Sequence, residues 1–197
     1  MPDSRTDRFG ERLQDAITKC SAIFDRRHVA HALIGGLAFG LRGRPRATLD
    51  IDLIVSVPQL QLAAVLDDFV AEGFAPSTID LIKQWNQGLA VLWYEDVRVD
   101  WLRPVLPIYQ HVIDRSEPLQ IAEHPFHVAT TEGLILCKMI ANRPRDRADI
   151  WELLIARAGE VDLDYIETEW QTIGSLSDPT VVELRRAIEA IRSGEVT

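Results

Sequence analysis

The chain has 197 residues, of which 47% are hydrophobic and 26% charged, and its formal net charge at neutral pH is −9. This is the composition of a globular protein, and it excludes fibrous and wholly disordered classes. The length allows one substantial core or two small domains. The negative charge excludes a surface that coats nucleic acid or anionic membranes indiscriminately, because phosphate binding requires basic surface. A local basic patch is still compatible with this charge.

Neither a targeting segment nor a membrane span is predicted. The N-terminus lacks the apolar core of a signal peptide, and no apolar run reaches the ~20 residues that cross a bilayer. The two cysteines, Cys20 and Cys137, lie far apart in apolar contexts. This placement favours buried, reduced thiols. We therefore expect a soluble, cytoplasmic protein without membrane contact.

The first part of the chain, up to about residue 104, predicts alternating helices and strands. Apolar residues at helical spacing predict helices over about residues 6–26, 37–43 and 58–73. Short apolar runs and apolar–polar alternation predict strands over residues 28–34, 48–55, 89–94 and 97–102. The last two strands form a hairpin that turns at Glu95 and Asp96. Ser56 as N-cap and Pro58 in the first turn open the third helix.

Beyond residue 104 the strand patterns largely disappear. Helices are predicted over about residues 108–116, 131–143, 145–154, 164–173 and 179–191. Thr130 is the predicted N-cap of the second of these helices, and Pro144 is its predicted stop. The sequence thus predicts an α/β half followed by a helical C-terminal half.

Two aspartates lie one strand step apart on the predicted strand 48–55. The period of two separates an apolar face from a polar one, with Leu49, Ile51 and Leu53 opposite Thr48, Asp50 and Asp52. Two like charges this close repel each other unless a cation lies between them or water screens both. Hard divalent cations such as Mg²⁺ bind carboxylate oxygens and keep positions open for phosphates. A solvated sheet face is the alternative, and the same spacing at 162–164 only suits a helix start.

Two further features add to this pair of aspartates. Alternation over residues 97–101 places Asp100 on the polar face of its strand. If this strand lies beside 48–55, three carboxylates share one face and can hold two metal ions. Gly35 and Gly36 follow a strand and open a helix, where free backbone N–H groups can bind phosphate oxygens. The combination predicts a metal and phosphate site.

Gly35-Gly36, Asp50-Ile51-Asp52 and Asp100 together resemble the signature of the DNA polymerase β-like nucleotidyltransferase superfamily, over about residues 28–102. In that superfamily a glycine pair, often Gly-Ser, opens a short helix, a D-x-D lies on the next strand and a lone acid on a later one. Gly36 departs from this pattern where many members have serine.

This resemblance implies a nucleotidyltransferase fold, with a small mixed sheet flanked by helices. Residues 1–104 are then the catalytic core, and residues 105–197 form a helical C-terminal domain that completes the nucleotide cleft. The implied metal ligands, for two Mg²⁺ ions or alternatively Mn²⁺, are Asp50, Asp52 and Asp100. The implied ligands of the nucleoside triphosphate in this half are Gly35, Gly36, Arg46 and Thr48.

Residues 129–154 resemble the C-terminal motif of the AbiEii-type and MenT-like nucleotidyltransferases, which are toxin components of toxin–antitoxin pairs. A helix lysine, a basic turn and D-x-x-D complete the cleft in that family, and the matching residues here are Lys138, Arg143, Arg145, Asp146 and Asp149. The resemblance implies that Lys138 is catalytic and that Lys138, Arg145, Asp146 and Asp149 bind nucleotide. The residues alone leave two alternatives open: Lys138 as a snorkelling surface lysine, and the aspartates as first-turn acids paired with arginine.

The implied function is Mg²⁺-dependent transfer of a nucleoside monophosphate from a triphosphate to an acceptor hydroxyl, with release of pyrophosphate. The toxin resemblance implies an RNA acceptor, the tRNA 3′ end, and a cognate antitoxin protein as partner. Because the net charge of −9 offers no broad basic surface, a small molecule or a protein is the alternative acceptor. A catalytically silent nucleotide-binding module is a third hypothesis, slightly favoured by Gly36.

The remaining aromatic residues are interpreted as structural. Scattered tryptophans favour core packing over a base-stacking platform, and they are Trp85, Trp93, Trp101, Trp151 and Trp170.

Overall fold

The computed structural model describes residues 4–43, 48–121, 124–157 and 160–195, and a mixed β-sheet forms its centre. The strands in these residues are β1 (Ala30–Ile34), β2 (Asp50–Ser56), β3 (Phe74–Ala75), β4 (Leu89–Tyr94), β5 (Val97–Leu102), β6 (Glu117–Ile121) and β7 (His124–Val128). Their order across the sheet is β3-β4-β5-β2-β1-β7-β6. The pair β2–β5 is parallel and β1–β2 is antiparallel.

The helices surround this sheet. They are α1 (Ser4–Arg27), α2 (Gly35–Arg42), α3 (Leu62–Ala71), α4 (Thr78–Asn86), α5 (Pro107–Asp114), α6 (Thr131–Ala141), α7 (Pro144–Ala156), α8 (Leu163–Trp170) and α9 (Pro179–Arg192). None of those described is long and apolar enough to cross a membrane. A mixed sheet surrounded by helices confirms the predicted α/β class.

Strand alternation gives the sheet one apolar face. Leu53 on β2 and Trp101 on β5 are fully buried. The Trp101 ring packs against Phe24 of α1 and Phe69 of α3, at centroid distances of 5.5 and 4.6 Å. The opposite face of β2 and β5 carries four charged side chains, and we call it the site face; its charged residues are Asp50, Asp52, Arg98 and Asp100. The aromatic core thus fixes the direction in which the charged side chains project.

The hairpin of β4 and β5 has its predicted bounds, but the helix predicted from Pro58 begins later, at Leu62. Ser56 pairs with Ala30 as the last residue of β2, so it belongs to the sheet and does not cap a helix. Leu49, predicted on the buried face, precedes the strand and is 64% exposed. The alternation of buried and exposed side chains is therefore followed only by residues that are hydrogen-bonded within the sheet.

The strands β6 and β7 contradict the expectation that strands largely disappear after residue 104. Each contains a proline and few apolar residues, so neither shows the composition of a buried strand. β7 lies parallel to β1, where the N–H of Ala129 donates to the carbonyl of Leu33 at 3.0 Å. The sheet therefore crosses the predicted boundary at residue 104.

Pro144 begins α7, and so it is not the stop of α6 that was predicted. α6 ends before it, because Asn142 takes a left-handed conformation with φ of 45°. At the other end of α6 the predicted cap is present, since the N–H of Gly133 donates to Thr130 Oγ1 at 3.1 Å. Thr130 and Asn142 therefore mark where α6 begins and ends, and Lys138 lies in its last turn.

Candidate active site

The three predicted metal ligands lie together on the site face. Asp52 of β2 is directly paired with Asp100 of β5 in the parallel ladder, and Asp50 is paired with Arg98. Residues paired in this way project from the same face of neighbouring strands. The three carboxylates are therefore adjacent, two along one strand and the third across from it.

Asp52 shows the electrostatic strain of this arrangement. Burial, followed by the charges of Asp100 and Asp50, raises the pKa of Asp52 above its usual range. The backbone N–H of Gly36, which donates to this carboxylate, and the charge of Arg143 act in the opposite direction. A group of acids that disfavours its own ionisation favours a nearby cation.

Arg98 supplies one such cation. Its Nε donates to Asp100 Oδ1 at 2.7 Å, and its side chain is 39% exposed. The hydrogen bond to Asp100, followed by the charges of Asp100, Asp50 and Asp52, raises the pKa of Arg98. The sequence interpretation overlooked Arg98, although its position two residues before Asp100 places both on one face.

The glycine pair lies directly against the carboxylates. Gly35 has φ of +65°, and a Cβ atom added to it would lie 1.9 Å from Asp52 Oδ2. A Cβ on Gly36 would lie 2.7 Å from Thr48 Oγ1. Neither position has room for a side chain, and the space that a serine at 36 would need is taken by the Thr48 hydroxyl. Thr48 thus places a hydroxyl beside the glycines and would have to move if position 36 carried a side chain.

Replacing Gly36 with serine is therefore expected to weaken nucleotide binding, although serine is common at this place in the superfamily. The new side chain must displace Thr48 or the start of α2, and a shift of α2 would move the backbone N–H groups that can bind phosphate oxygens. Adding Thr48→Ala should recover part of the loss, because it removes the clashing oxygen. The KM for nucleoside triphosphate checks this, and a wild-type KM in Gly36→Ser would contradict it.

Lys138 is a buried cation, and this contradicts the alternative of a surface lysine. Its Nζ pairs with Asp149 Oδ2 and lies 3.7 Å from Asp146 Oδ1. It also lies 5.6 Å from the ring centroid of Phe39 on α2. Lys138 therefore links α6, α7 and the helix that follows the glycines.

Arg143 is the cation of this second group that acts on the carboxylates. Its Nε donates to Asp146 Oδ2 at 2.8 Å, and its backbone N–H donates to the same oxygen at 2.9 Å. Burial alone would raise the pKa of Asp146, but these hydrogen bonds and the charges of Arg143 and Lys138 hold it below its usual range. The positive charge of Arg143 also acts to lower the pKa of Asp52, against the larger effect of burial.

Four other residues were predicted to bind nucleotide, and they are Arg145, Arg46, Asp146 and Asp149. Arg145 is exposed, one residue into α7 beyond Pro144. Arg46 lies outside the described residues. Asp146 and Asp149 are both buried and paired with cations. Asp146 is paired with Arg143, which agrees with the interpretation of a first-turn acid paired with arginine. Their contribution here is to position Lys138 and Arg143.

The interpretation of all tryptophans as core residues is wrong for Trp93, which is 44% exposed. The hairpin register pairs Trp93 with Arg98, so the indole belongs to the site face. Trp85 and Trp101 are buried as expected. The turn at Glu95 and Asp96 contained this information, because it fixes which residues of the two strands face each other.

The donor chemistry of the site fits a divalent cation. Carboxylate oxygens that repel one another are the ligands that Mg²⁺ prefers. Across the described ranges, no three His, Cys, Asp or Glu side chains converge tightly enough to hold a metal ion as they stand. One oxygen of Asp100 is instead held by Arg98. Asp50, Asp52 and Asp100 are the residues that would hold the ion.

Several solved structures share this fold. ANT(2″)-Ia, solved in complex with adenylyl-2″-tobramycin, has 17% identity and a TM-score of 0.51, and the match covers 93% of this chain and 99% of that one. An antigenic nucleotidyltransferase-like protein from Paracoccidioides brasiliensis has 16% identity and a TM-score of 0.51, with 91% and 93% covered.

A tRNA nucleotidyltransferase, solved with a primer tRNA and an ATP analogue, has 11% identity and a TM-score of 0.35, with 88% of this chain and 60% of that one covered. No curated protein matches the chain. The family model described as "Nucleotidyltransferase of unknown function (DUF6036)" matches residues 11–192. With the glycine pair and three carboxylates on one sheet, this match shows that the chain is a nucleotidyltransferase of the DUF6036 family.

Proposed function

We propose that this enzyme transfers a nucleoside monophosphate from a nucleoside triphosphate to an acceptor hydroxyl with the help of divalent cations. The observation that carries the proposal is the juxtaposition of Asp50, Asp52 and Asp100 on one face with Gly35 in contact with Asp52. A carboxylate group beside a helix N-terminus combines a place for cations with a place for phosphates.

The residues would divide the work between the two sides of Asp52. α2 begins at Gly35, and its N-cap residue Ile34 offers no capping side chain, so the N–H groups of its first turn other than that of Gly36 can bind phosphate oxygens. Arg143 would neutralise charge on the triphosphate, positioned by Asp146. Lys138 would act from α6, and residues 105–197 would thereby complete a cleft begun by residues 1–104.

The chemistry is an in-line displacement at the α-phosphorus. The acceptor oxygen bonds to this phosphorus, the bond to the pyrophosphate oxygen breaks, and the hydroxyl proton passes to solvent water. Mg²⁺, when bound by Asp50, Asp52 and Asp100, would polarise the phosphate and lower the pKa of the acceptor hydroxyl. Mn²⁺ is an alternative ion.

Different observations support two kinds of acceptor, an RNA and a small hydroxylated molecule. The toxin-like motif over 129–154 supports an RNA acceptor such as the tRNA 3′ end, with a cognate antitoxin as partner. The net charge of −9 and the near-complete overlap with ANT(2″)-Ia support a small hydroxylated molecule. A small acceptor needs no extended basic surface, whereas an RNA makes many phosphate contacts.

A labelling experiment tests the function and separates the acceptors. The protein is incubated with Mg²⁺, each α-labelled nucleoside triphosphate in turn, and either total RNA, a pool of small hydroxylated compounds or a cell lysate depleted of both. We expect label in one acceptor fraction and none when EDTA removes the metal. Label that enters no fraction, together with no Mg²⁺-dependent nucleotide binding, would contradict the proposed function.

A further inference from the structure

One exposed aromatic residue lies in line with the carboxylates. Trp93 of β4 is paired with Arg98 of β5, which is paired with Asp50 of β2. The three side chains form one row across the site face. With strands about 4.8 Å apart, the Cα atoms of Trp93 and Asp50 are separated by about 10 Å.

Trp93 does not belong to the buried aromatic core. Its neighbours on the other face of β4, Ala90 and Leu92, are fully buried in the aromatic core. Trp93 itself is 44% exposed, and Leu89, on the same face, is 40% exposed. A large indole that is left half in water beside a charged site offers binding surface at little conformational cost.

The site face has two distinct sides. Gly35 and Gly36 follow β1 directly and lie on the β1 side of Asp52, where the triphosphate is proposed to bind. Arg98 and Trp93 lie on the β4 side. An in-line displacement requires that the attacking hydroxyl and the departing pyrophosphate lie on opposite sides of the α-phosphorus. The acceptor must therefore approach from the β4 side.

We propose that Trp93 binds the acceptor by stacking its indole on the ring that carries, or adjoins, the attacking hydroxyl. This rests on the proposed function and names the half of the site that receives the nucleotide. Aromatic faces bind rings, either a nucleobase or the apolar face of a sugar. Arg98, partly exposed between Trp93 and Asp50, supplies donors for polar groups on that ring.

Fluorine NMR of protein labelled with 5-fluorotryptophan tests this directly. The Trp93 resonance is assigned from Trp93→Phe, and the buried Trp85 and Trp101 serve as internal controls. Mg²⁺ with a non-hydrolysable triphosphate analogue is added first. The RNA trinucleotide CCA with a free 3′-hydroxyl is added in one arm, and the aminosugar glucosamine in the other. We expect the Trp93 resonance to shift with one probe and not with nucleotide alone.

Affinity gives the second readout. Trp93→Ala is expected to weaken binding of the responding probe by about 5- to 150-fold, the range for loss of one stacked base, while nucleotide affinity stays unchanged. Trp93→Phe should retain most of the affinity, because it keeps an aromatic face. Leu60→Ala is the matched control, since Leu60 is 99% exposed and belongs to no strand.

Three outcomes would overturn the proposal: neither probe shifts the Trp93 resonance, nucleotide alone shifts it, or Trp93→Ala binds the responding probe as the wild type does. A response to CCA identifies a nucleobase and a response to glucosamine identifies a sugar, and both support stacking. Failure of the proposed function is seen separately, as the absence of Mg²⁺-dependent nucleotide binding in wild type and variants alike.

Discussion

Asp52→Asn is expected to remove nucleotidyl transfer and at the same time to make the metal-free protein more stable. Asparagine keeps the shape of the side chain and an oxygen for the N–H of Gly36. It removes one of the three negative charges that would hold the cation. Loss of several kcal/mol of charge stabilisation in the transition state corresponds to a rate loss of about 10³-fold.

The gain in stability follows from the sign of the pKa shift. Burial and the charges of Asp100 and Asp50 raise the pKa of Asp52 in the folded protein. Folding therefore favours the protonated form, and the ionised form costs stability as the pH rises through the folded-state pKa. Asparagine resembles the protonated form at every pH. The difference in free energy of unfolding between the variant and the wild type should thus grow as the pH rises from about 4 towards neutrality.

Thermal unfolding in EDTA, measured against pH, checks the stability, and the labelling experiment checks the activity. Asp164→Asn is the matched control: Asp164 belongs to the second D-x-D of the chain and is exposed at the start of α8. It should leave transfer unchanged and lower stability only by the roughly 0.3–1 kcal/mol that one acid contributes at a helix N-terminus. An Asp52→Asn variant with wild-type transfer would remove Asp52 from the site.

Among these substitutions, Lys138→Met should lower the free energy of unfolding the most. The variant leaves Asp146 and Asp149, both buried, without the ammonium group that lies against them. Removing one member of a buried ion pair costs about 3 kcal/mol or more, because the remaining charge stays in a poorly solvated place. Urea unfolding measures this free energy, and a loss below ~1 kcal/mol would show that the group is better solvated than its burial indicates.

A second variant separates the structural role of Lys138 from a catalytic one. Lys138→Met combined with Asp149→Asn removes both charges of the pair, so much of the stability should return. If Lys138 acts on the nucleotide, transfer stays low in the stable double variant. Recovery of transfer together with stability would assign Lys138 a purely structural role.

The sequence predicted the parts of the site that depend on strand alternation. The burial of Leu53 and Trp101 follows from a period of two, and so does the shared face of Asp52 and Asp100. These features depend on neighbours within a few residues. The hairpin was predicted for the same reason, since its turn and both strands are contiguous.

The features that the sequence patterns did not predict depend on contacts between residues that are distant in the chain. β7 contains two histidines and a proline, and it is a strand because β1 and β6 hold it on both sides. The residue types of Arg98 and Trp93 give no sign of a site, because their proposed importance lies in their register with Asp50. The exclusion of serine at Gly36 depends on Thr48, twelve residues away.

The pairing of β7 with β1 makes the site dependent on the whole chain. β1 ends at the glycine pair, and β7 leads through Thr130 into α6, which carries Lys138. A fragment that ends at residue 104 would lack β7 and leave β1 as a bare sheet edge with unpaired N–H and C=O groups, which invites aggregation. Expression of the two halves as separate polypeptides is therefore expected to yield an aggregating fragment, and co-expression to restore the continuous sheet.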